Sequence, residues 1–307
     1  MDNQKIINNE FFIEKALNRK INRTPIILII NPYNENYFKA LEKFINLNLV
    51  DYLIVGNKEK INSAIANIDF KLDDNKFYET KDDLDSLLVS MNLLKEKKAD
   101  ILLKGIIESS DILKFILKKE YRFIEKDFIS HVAVLFNKDW EQFYLITDGA
   151  MNIAPTLNQK KSIINNAVYL YNKIENKKPY VACLCAKDKI YEKMNSTIDA
   201  DKLKIMNENN EIKNCYVSGP MQFDIALNKK SKEIKNNKDI VAGKANILLV
   251  NDIESGNILI KSLVHFSNAI FAGLVIGLTF PFILTSRSNT IDDLISSIAI
   301  SYLLLNE

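Results

Sequence analysis

Residues 282–293 run Phe-Ile-Leu-Thr-Ser-Arg-Ser-Asn-Thr-Ile-Asp-Asp, an apolar strand that delivers Ser286 and Arg287 to its end and then a helix start carrying Asp292 and Asp293. Ligands of open α/β sheets bind just outside the carboxyl ends of strands. A guanidinium offers a planar fork matched to phosphate oxygens, and the free N–H groups of a helix start add to it. The two acids are candidate bases. A structural reading also fits, because Thr290 and Asp293 have capping-box spacing and Asp292 complements the helix dipole. Arg287 resists that reading, being one of only four arginines (with Arg19, Arg23 and Arg122) among 41 basic residues.

Two more polar groups sit at expected strand ends. Lys104-Gly105 is followed by Ser109, Ser110, Asp111 and Lys114, a strand, turn and helix start that can hold an anion; Lys114 alone would equally be a solvated face residue. Thr147-Asp148-Gly149-Ala150-Met151-Asn152-Ile153-Ala154-Pro155 puts an acid before small and amide residues, which also suits an Asx-type turn. Ser218-Gly219-Pro220 is expected as a turn, and Ser255-Gly256-Asn257 with Lys261 opens a helix after Asp252.

Several chemistries are absent from the sequence. Neither GxGxxG nor GxxxxGK[ST] occurs in a chain with eight glycines, and His131 and His265 lie far apart with no zinc-type cysteine pair, so no metal is expected. Three cysteines, Cys183, Cys185 and Cys215, suit buried thiols in a reducing compartment. A net charge of +2 gives no field for nucleic acid. The start lacks the order of a signal peptide, and the apolar tract 270–285 is interrupted by Gly273, Gly277 and Pro281 and too short to span a bilayer; a cytoplasmic protein is expected.

A length of 307 residues, with 47% hydrophobic and 26% charged, suggests about two globular domains. Short β-rich runs alternate with helical periods, the pattern of an α/β protein with a mostly parallel sheet. Strands are expected at 26–30, 50–55, 101–103, 130–136, 143–147, 180–185, 215–217, 247–250, 272–276 and 282–285. The pair 130–136 and 143–147 forms a hairpin. Helices are expected at 37–48, 82–98, 109–121 (with Ser109 or Ser110 as cap), 159–174, 199–207, from 221, 255–266 and 292–305, with 229–238 as a lysine-rich surface stretch.

Taken together, these segments resemble the phosphate acetyltransferase and phosphate butyryltransferase family from about Ala99 onward. The resemblance rests on Ala99-Asp100 with Lys104-Gly105, Ser130-His131, Thr147-Asp148 with 150–155, Ile163-Ile164-Asn165-Asn166-Ala167-Val168, 252–257 and Thr285-Ser286-Arg287, all in the family's order and spacing. The 151–155 and 163–168 strings look like the butyryl branch. The first 90 or so residues match less distinctly.

The resemblance implies two open α/β domains of isocitrate dehydrogenase-like architecture with an interdomain active-site cleft, one made of 1–148 plus 276–307 and the other of 149–275. It implies reversible transfer of a short acyl group between coenzyme A and inorganic phosphate, with no cofactor and a homo-oligomeric state. Ser286, Arg287 and Asp293, or Asp292 one residue earlier, would be catalytic. Lys104, Ser109, Ser110, Lys114, Asp148, Asn152, Asn257 and Lys261 would bind phosphate or CoA. Lys114 stands where many relatives have an arginine. Three alternatives are an acetyl-specific member, a metal- and NAD-dependent oxidative decarboxylase of related architecture, and a non-catalytic acyl-CoA-binding relative.

Overall fold

The computed structural model describes residues 7–286 and 288–306, so Arg287 lies outside the described residues. In chain order the elements are α1 (Asn9–Leu17), β1 (Ile26–Ile30), α2 (Glu35–Asn46), β2 (Asp51–Gly56), α3 (Lys58–Ile65), β3 (Phe77–Glu79), α4 (Asp83–Lys95), β4 (Ile101–Lys104), α5 (Ser109–Ile116), β5 (Ser130–Phe136) and β6 (Tyr144–Thr147). They continue with α6 (Leu157–Ile174), β7 (Tyr180–Leu184), α7 (Asn195–Glu208), β8 (Tyr216–Met221), α8 (Phe223–Leu227), α9 (Lys229–Ile234), β9 (Ile247–Leu249), α10 (Ile253–Ser267), β10 (Ile270–Ile276), β11 (Phe282–Ile283) and α11 (Ile291–Leu304).

Internal contacts divide the chain into a terminal unit, Asn9–Lys126 with Phe271–Glu307, and a central unit, Asp127–Ile270 with the residues before Asn9. The β5–β6 hairpin therefore travels with the central unit, and Asp148 lies inside that unit.

In the terminal unit the strand order is β3-β2-β1-β4-β11-β10. All but β10 run parallel, so the carboxyl ends of β1, β4 and β11 share one edge. Ile26–Ile30 and Ile101–Lys104 are almost wholly buried, as expected for parallel strands covered on both faces. Helix α11 is buried from Asp293 to Leu304 and packs on α1 and α2. Its buried Ser297 and Ser301 hydroxyls donate to the carbonyls of Asp293 and Ile298 (2.7 and 2.8 Å), so they cost the core little.

The central unit has order β5-β6-β9-β7-β8, with β5 antiparallel to β6 and the rest parallel. The start of β5 thus meets the carboxyl end of β6. Ser218-Gly219-Pro220, expected as a turn, lies within β8. Proline lacks a ladder donor and is tolerated because β8 is an edge strand. The surface stretch 229–238 includes a short helix capped by the Asn228 side chain. Among the described residues no helix is long and apolar enough to cross a membrane, and the tract at 270–285 forms β10 and β11 instead.

Candidate active site

At the carboxyl edge of the terminal unit, β4 and β11 are locked together through Lys104 and Thr285. The Lys104 ammonium, 2% exposed, donates to the carbonyls of Gly105 (3.3 Å) and Thr285 (3.2 Å). The Thr285 hydroxyl returns a bond to the Lys104 carbonyl at 2.9 Å. Tyr37 on α2 is buried, which pushes its phenol pKa up, and the nearby Thr285 side chain opposes part of the rise. Such carbonyl partners matter because a buried ammonium without hydrogen bonds is very costly.

Gly105 is required by strand packing, since a Cβ there would collide with the carbonyls of Ile30 and Asn31. The turn is completed by Ile106 N–H donating to Asn31 O at 2.8 Å, with Asn31 at φ 53°. One residue beyond Thr285, Ser286 is exposed and its hydroxyl lies 3.1 Å from that of Ser288.

The two acids of α11 face different surroundings. Asp293, 7% exposed, accepts from Phe271 N and Thr290 N, both at 2.8 Å, while Thr290 caps the helix. Burial raises the Asp293 pKa, and these N–H bonds offset part of the rise. Asp292 is exposed and accepts from the Asn9 side chain on α1 at 2.7 Å.

Helix α5 differs from expectation at both ends. Its cap position is Glu108, which makes no side-chain capping bond, so Ser109 and Ser110 are the first helical residues. The helix stops at Ile116 rather than 121. Lys114 is exposed and pairs with Asp111 at 3.0 Å.

In the central unit the carboxyl edge is organised by an anion. Asp148, 2% exposed, accepts from Ala150 N and Met151 N through one oxygen (3.0 and 2.9 Å), and from His131 N and the Asn152 amide through the other (2.9 and 2.6 Å). Burial lowers the His131 pKa despite the opposing charge of Asp148. Asn257 on α10 donates to the Gly149 carbonyl at 3.2 Å. A Cβ on Gly256 would sit 2.7 Å from the Gly149 Cα, which explains a glycine at the helix start. Lys261 is exposed. Asn166 donates to the Ser130 hydroxyl at 2.9 Å, tying α6 to the start of β5.

Thus Lys104 and Ser286 fall in the terminal-unit cluster with Thr285, and Asp148, Asn152 and Asn257 in the central-unit cluster. Tyr37 was missed from sequence. Its only signal there is a position in an amphipathic helix, where a core tyrosine looks the same. The thiols are buried: burial pushes Cys183 and Cys185 up, and Cys215 up to about 12.

This α/β fold is shared with solved phosphotransacylases. The branched-chain phosphotransacylase from Enterococcus faecalis V583 matches it with a TM-score of 0.78 at 27% identity, covering 91% of this chain and 99% of that one. Residues 79–302 match the family described as phosphate acetyl/butaryl transferase, and the chain belongs to that family and is an acyltransferase. It is 32% identical over 270 residues to the phosphate butyryltransferase of Clostridium beijerinckii, covering 88% of this chain and 89% of that one. It is also 29% identical over 280 residues to the phosphate acetyltransferase of Rickettsia typhi, covering 91% and 80%.

Proposed function

We propose that the protein reversibly transfers a butyryl or similar short acyl group between coenzyme A and inorganic phosphate. The family match across residues 79–302 carries this reading. The butyryl preference draws support from identity to a butyryltransferase over 88% of the chain and from the strings at 151–155 and 163–168.

In the proposed reaction a phosphate oxygen attacks the thioester carbonyl carbon, forming a C–O bond and a tetrahedral oxyanion. The C–S bond then breaks, and the leaving thiolate takes up a proton. In reverse, a base removes that proton, because a thiol of reference pKa about 8.5 is only a few per cent ionised at pH 7. Arg287 would hold the phosphoryl group, with Ser286 donating to it or to the oxyanion. Asp293 would be the base, favoured over Asp292 by the pKa that burial raises.

Transfer is direct, without an acyl-enzyme, in keeping with three thiols that burial holds protonated. Ser109, Ser110, Lys114 and Lys261 would meet phosphate or CoA from the surface, while Lys104, Asp148, Asn152 and Asn257 would shape the strand ends. The same reading has the enzyme cytoplasmic, homo-oligomeric and independent of metal, with no nucleic-acid or membrane partner.

The test is turnover with phosphate across acetyl-, propionyl-, butyryl- and branched acyl-CoA, read as free thiol. Butyryl-CoA should have the largest kcat/KM. One methylene is worth only about 1 to 3 kcal/mol of discrimination, so neighbouring chain lengths should differ by about 10- to 200-fold at most. Fastest turnover of acetyl-CoA would make it an acetyl enzyme. CoA binding without thiol release would make it a non-catalytic relative.

A further inference from the structure

Three elements of the terminal unit converge on one residue that itself carries no chemistry. Lys104 at the end of β4 donates to the Thr285 carbonyl at 3.2 Å, Thr285 donates back to the Lys104 carbonyl at 2.9 Å, and the buried Tyr37 of α2 lies near the Thr285 side chain. Thr285 is 3% exposed, Lys104 2% and Tyr37 4%, so the bonds are shielded from water. The regular ladder of β11 ends at Ile283, two residues earlier. Leu284 N–H still pairs with the Gly273 carbonyl at 3.0 Å. Beyond it, the chain toward Ser286 is held at Thr285 by side-chain bonds to Lys104.

We infer that Lys104 and Thr285 form a latch that positions Ser286, with Lys104 acting as a positioning residue and not as a phosphate ligand. This rests on the acyl-transfer reading above. The physical reason is geometric. A long cation gripping a backbone carbonyl fixes the direction in which the next residue leaves the strand, and a misplacement of about 1 Å can cost about 100-fold in rate.

The experiment compares wild type, Lys104→Met, Thr285→Val, Thr285→Ser and Arg23→Ala. It measures kcat and KM for butyryl-CoA and phosphate, and amide hydrogen exchange in the peptide covering 284–290. Lys104→Met and Thr285→Val should each lower kcat at least about tenfold while changing either KM less than about threefold, the signature of misplacement with binding retained. Thr285→Ser keeps the hydroxyl and should stay within about threefold of wild type. Arg23→Ala weakens a distant ion pair and should leave kcat unchanged, separating the latch from general loss of stability.

Exchange at 284–290 should accelerate in Lys104→Met and Thr285→Val alone. If Lys104→Met does not fold, the Thr285 pair decides. Wild-type exchange and kcat in Thr285→Val would overturn the latch, as would a rise in the KM for phosphate with kcat intact in Lys104→Met, which would make Lys104 a ligand. If wild type turns over no acyl-CoA, the functional reading falls. Exchange then judges the latch by itself, and unchanged exchange overturns it.

Discussion

The two sheet edges bury charge of opposite sign and use it differently. In the central unit Asp148 gathers four donors within its own unit, three of them backbone N–H groups, and so fixes the loop 148–152. In the terminal unit Lys104 grips carbonyls and holds a strand end whose next residue, Ser286, is exposed. An anion that already holds four donors has little left to offer a substrate. A buried cation that anchors backbone leaves the hydroxyl beyond it open to one. In sequence both are simply polar residues after a strand; what separates them is where their hydrogen bonds go.

The comparison breaks most visibly if the exposed edge is not where the chemistry happens. Arg287→Ala and Ser286→Ala should each lower turnover by about 10²- to 10³-fold, the usual effect of losing one preorganised donor. The melting temperature of Ser286→Ala should stay near wild type, because Ser286 is exposed and surface substitutions usually fall within about 0.5 kcal/mol. Wild-type turnover in both would remove the terminal edge from the reaction.

Asp148→Ala tests the other side. It deprives buried His131 N and half-buried Ala150 N and Met151 N of their acceptor, and a buried donor left without a partner costs about 1–3 kcal/mol. Since about 1 kcal/mol shifts the midpoint by about 2–4 °C in a domain of this size, calorimetry should show a fall on the order of 10 °C. A variant that melts like wild type yet loses turnover would make Asp148 a substrate ligand.

How much of this was legible follows from how local each signal is. The strands Ile26–Ile30 and Ser130–Phe136 fall where their apolar runs put them, because parallel or doubly covered strands are buried on both faces. The hairpin was legible from its short polar connection, as was the Thr290–Asp293 capping box from its spacing. Helices α1 and α3 and strand β3 escaped notice: α3 buries only Ile61 and β3 has three half-exposed or exposed residues, so neither carries a clear period. At the site, the motif residues were visible but their direction was not. Asp148 and Asn257 turn inward to backbone groups, and Tyr37 comes near Thr285 only through the tertiary fold, which no local spacing encodes.

A pH profile sharpens the choice between the two acids of α11. A base must be deprotonated, so in the thiol-consuming direction activity should fall on the acid side through the pKa of Asp293, which burial sets above the ordinary value of about 3.9. Asp293→Asn should abolish that activity, and Asp292→Asn should keep both the activity and the acid limb. The reverse result assigns the base to Asp292. Stability carries the matching sign. A carboxyl whose pKa is raised on folding stabilises the fold below the ordinary carboxylate range, and that contribution is lost as pH rises through the folded value. Asp293→Asn should therefore flatten the dependence of the unfolding midpoint on pH in that window.

The smallest effect belongs to the terminal unit away from its carboxyl edge. Arg23 donates to both Asp100 oxygens, one at 2.7 Å, but its side chain is 64% exposed. Exposed ion pairs contribute about 0.2–1 kcal/mol, and salt screens them, so Arg23→Ala should cost no more than about 1 kcal/mol at low ionic strength and less at about 1 M salt. Asp100→Ala should cost more, because Asp100 also accepts from Ile26 N at 2.8 Å and its loss strands the first donor of β1. Neither change should alter kcat. If Arg23→Ala lowered turnover while Asp100→Ala did not, the guanidinium would be acting on substrate, and the scarcity of arginine in this chain would have a second catalytic explanation.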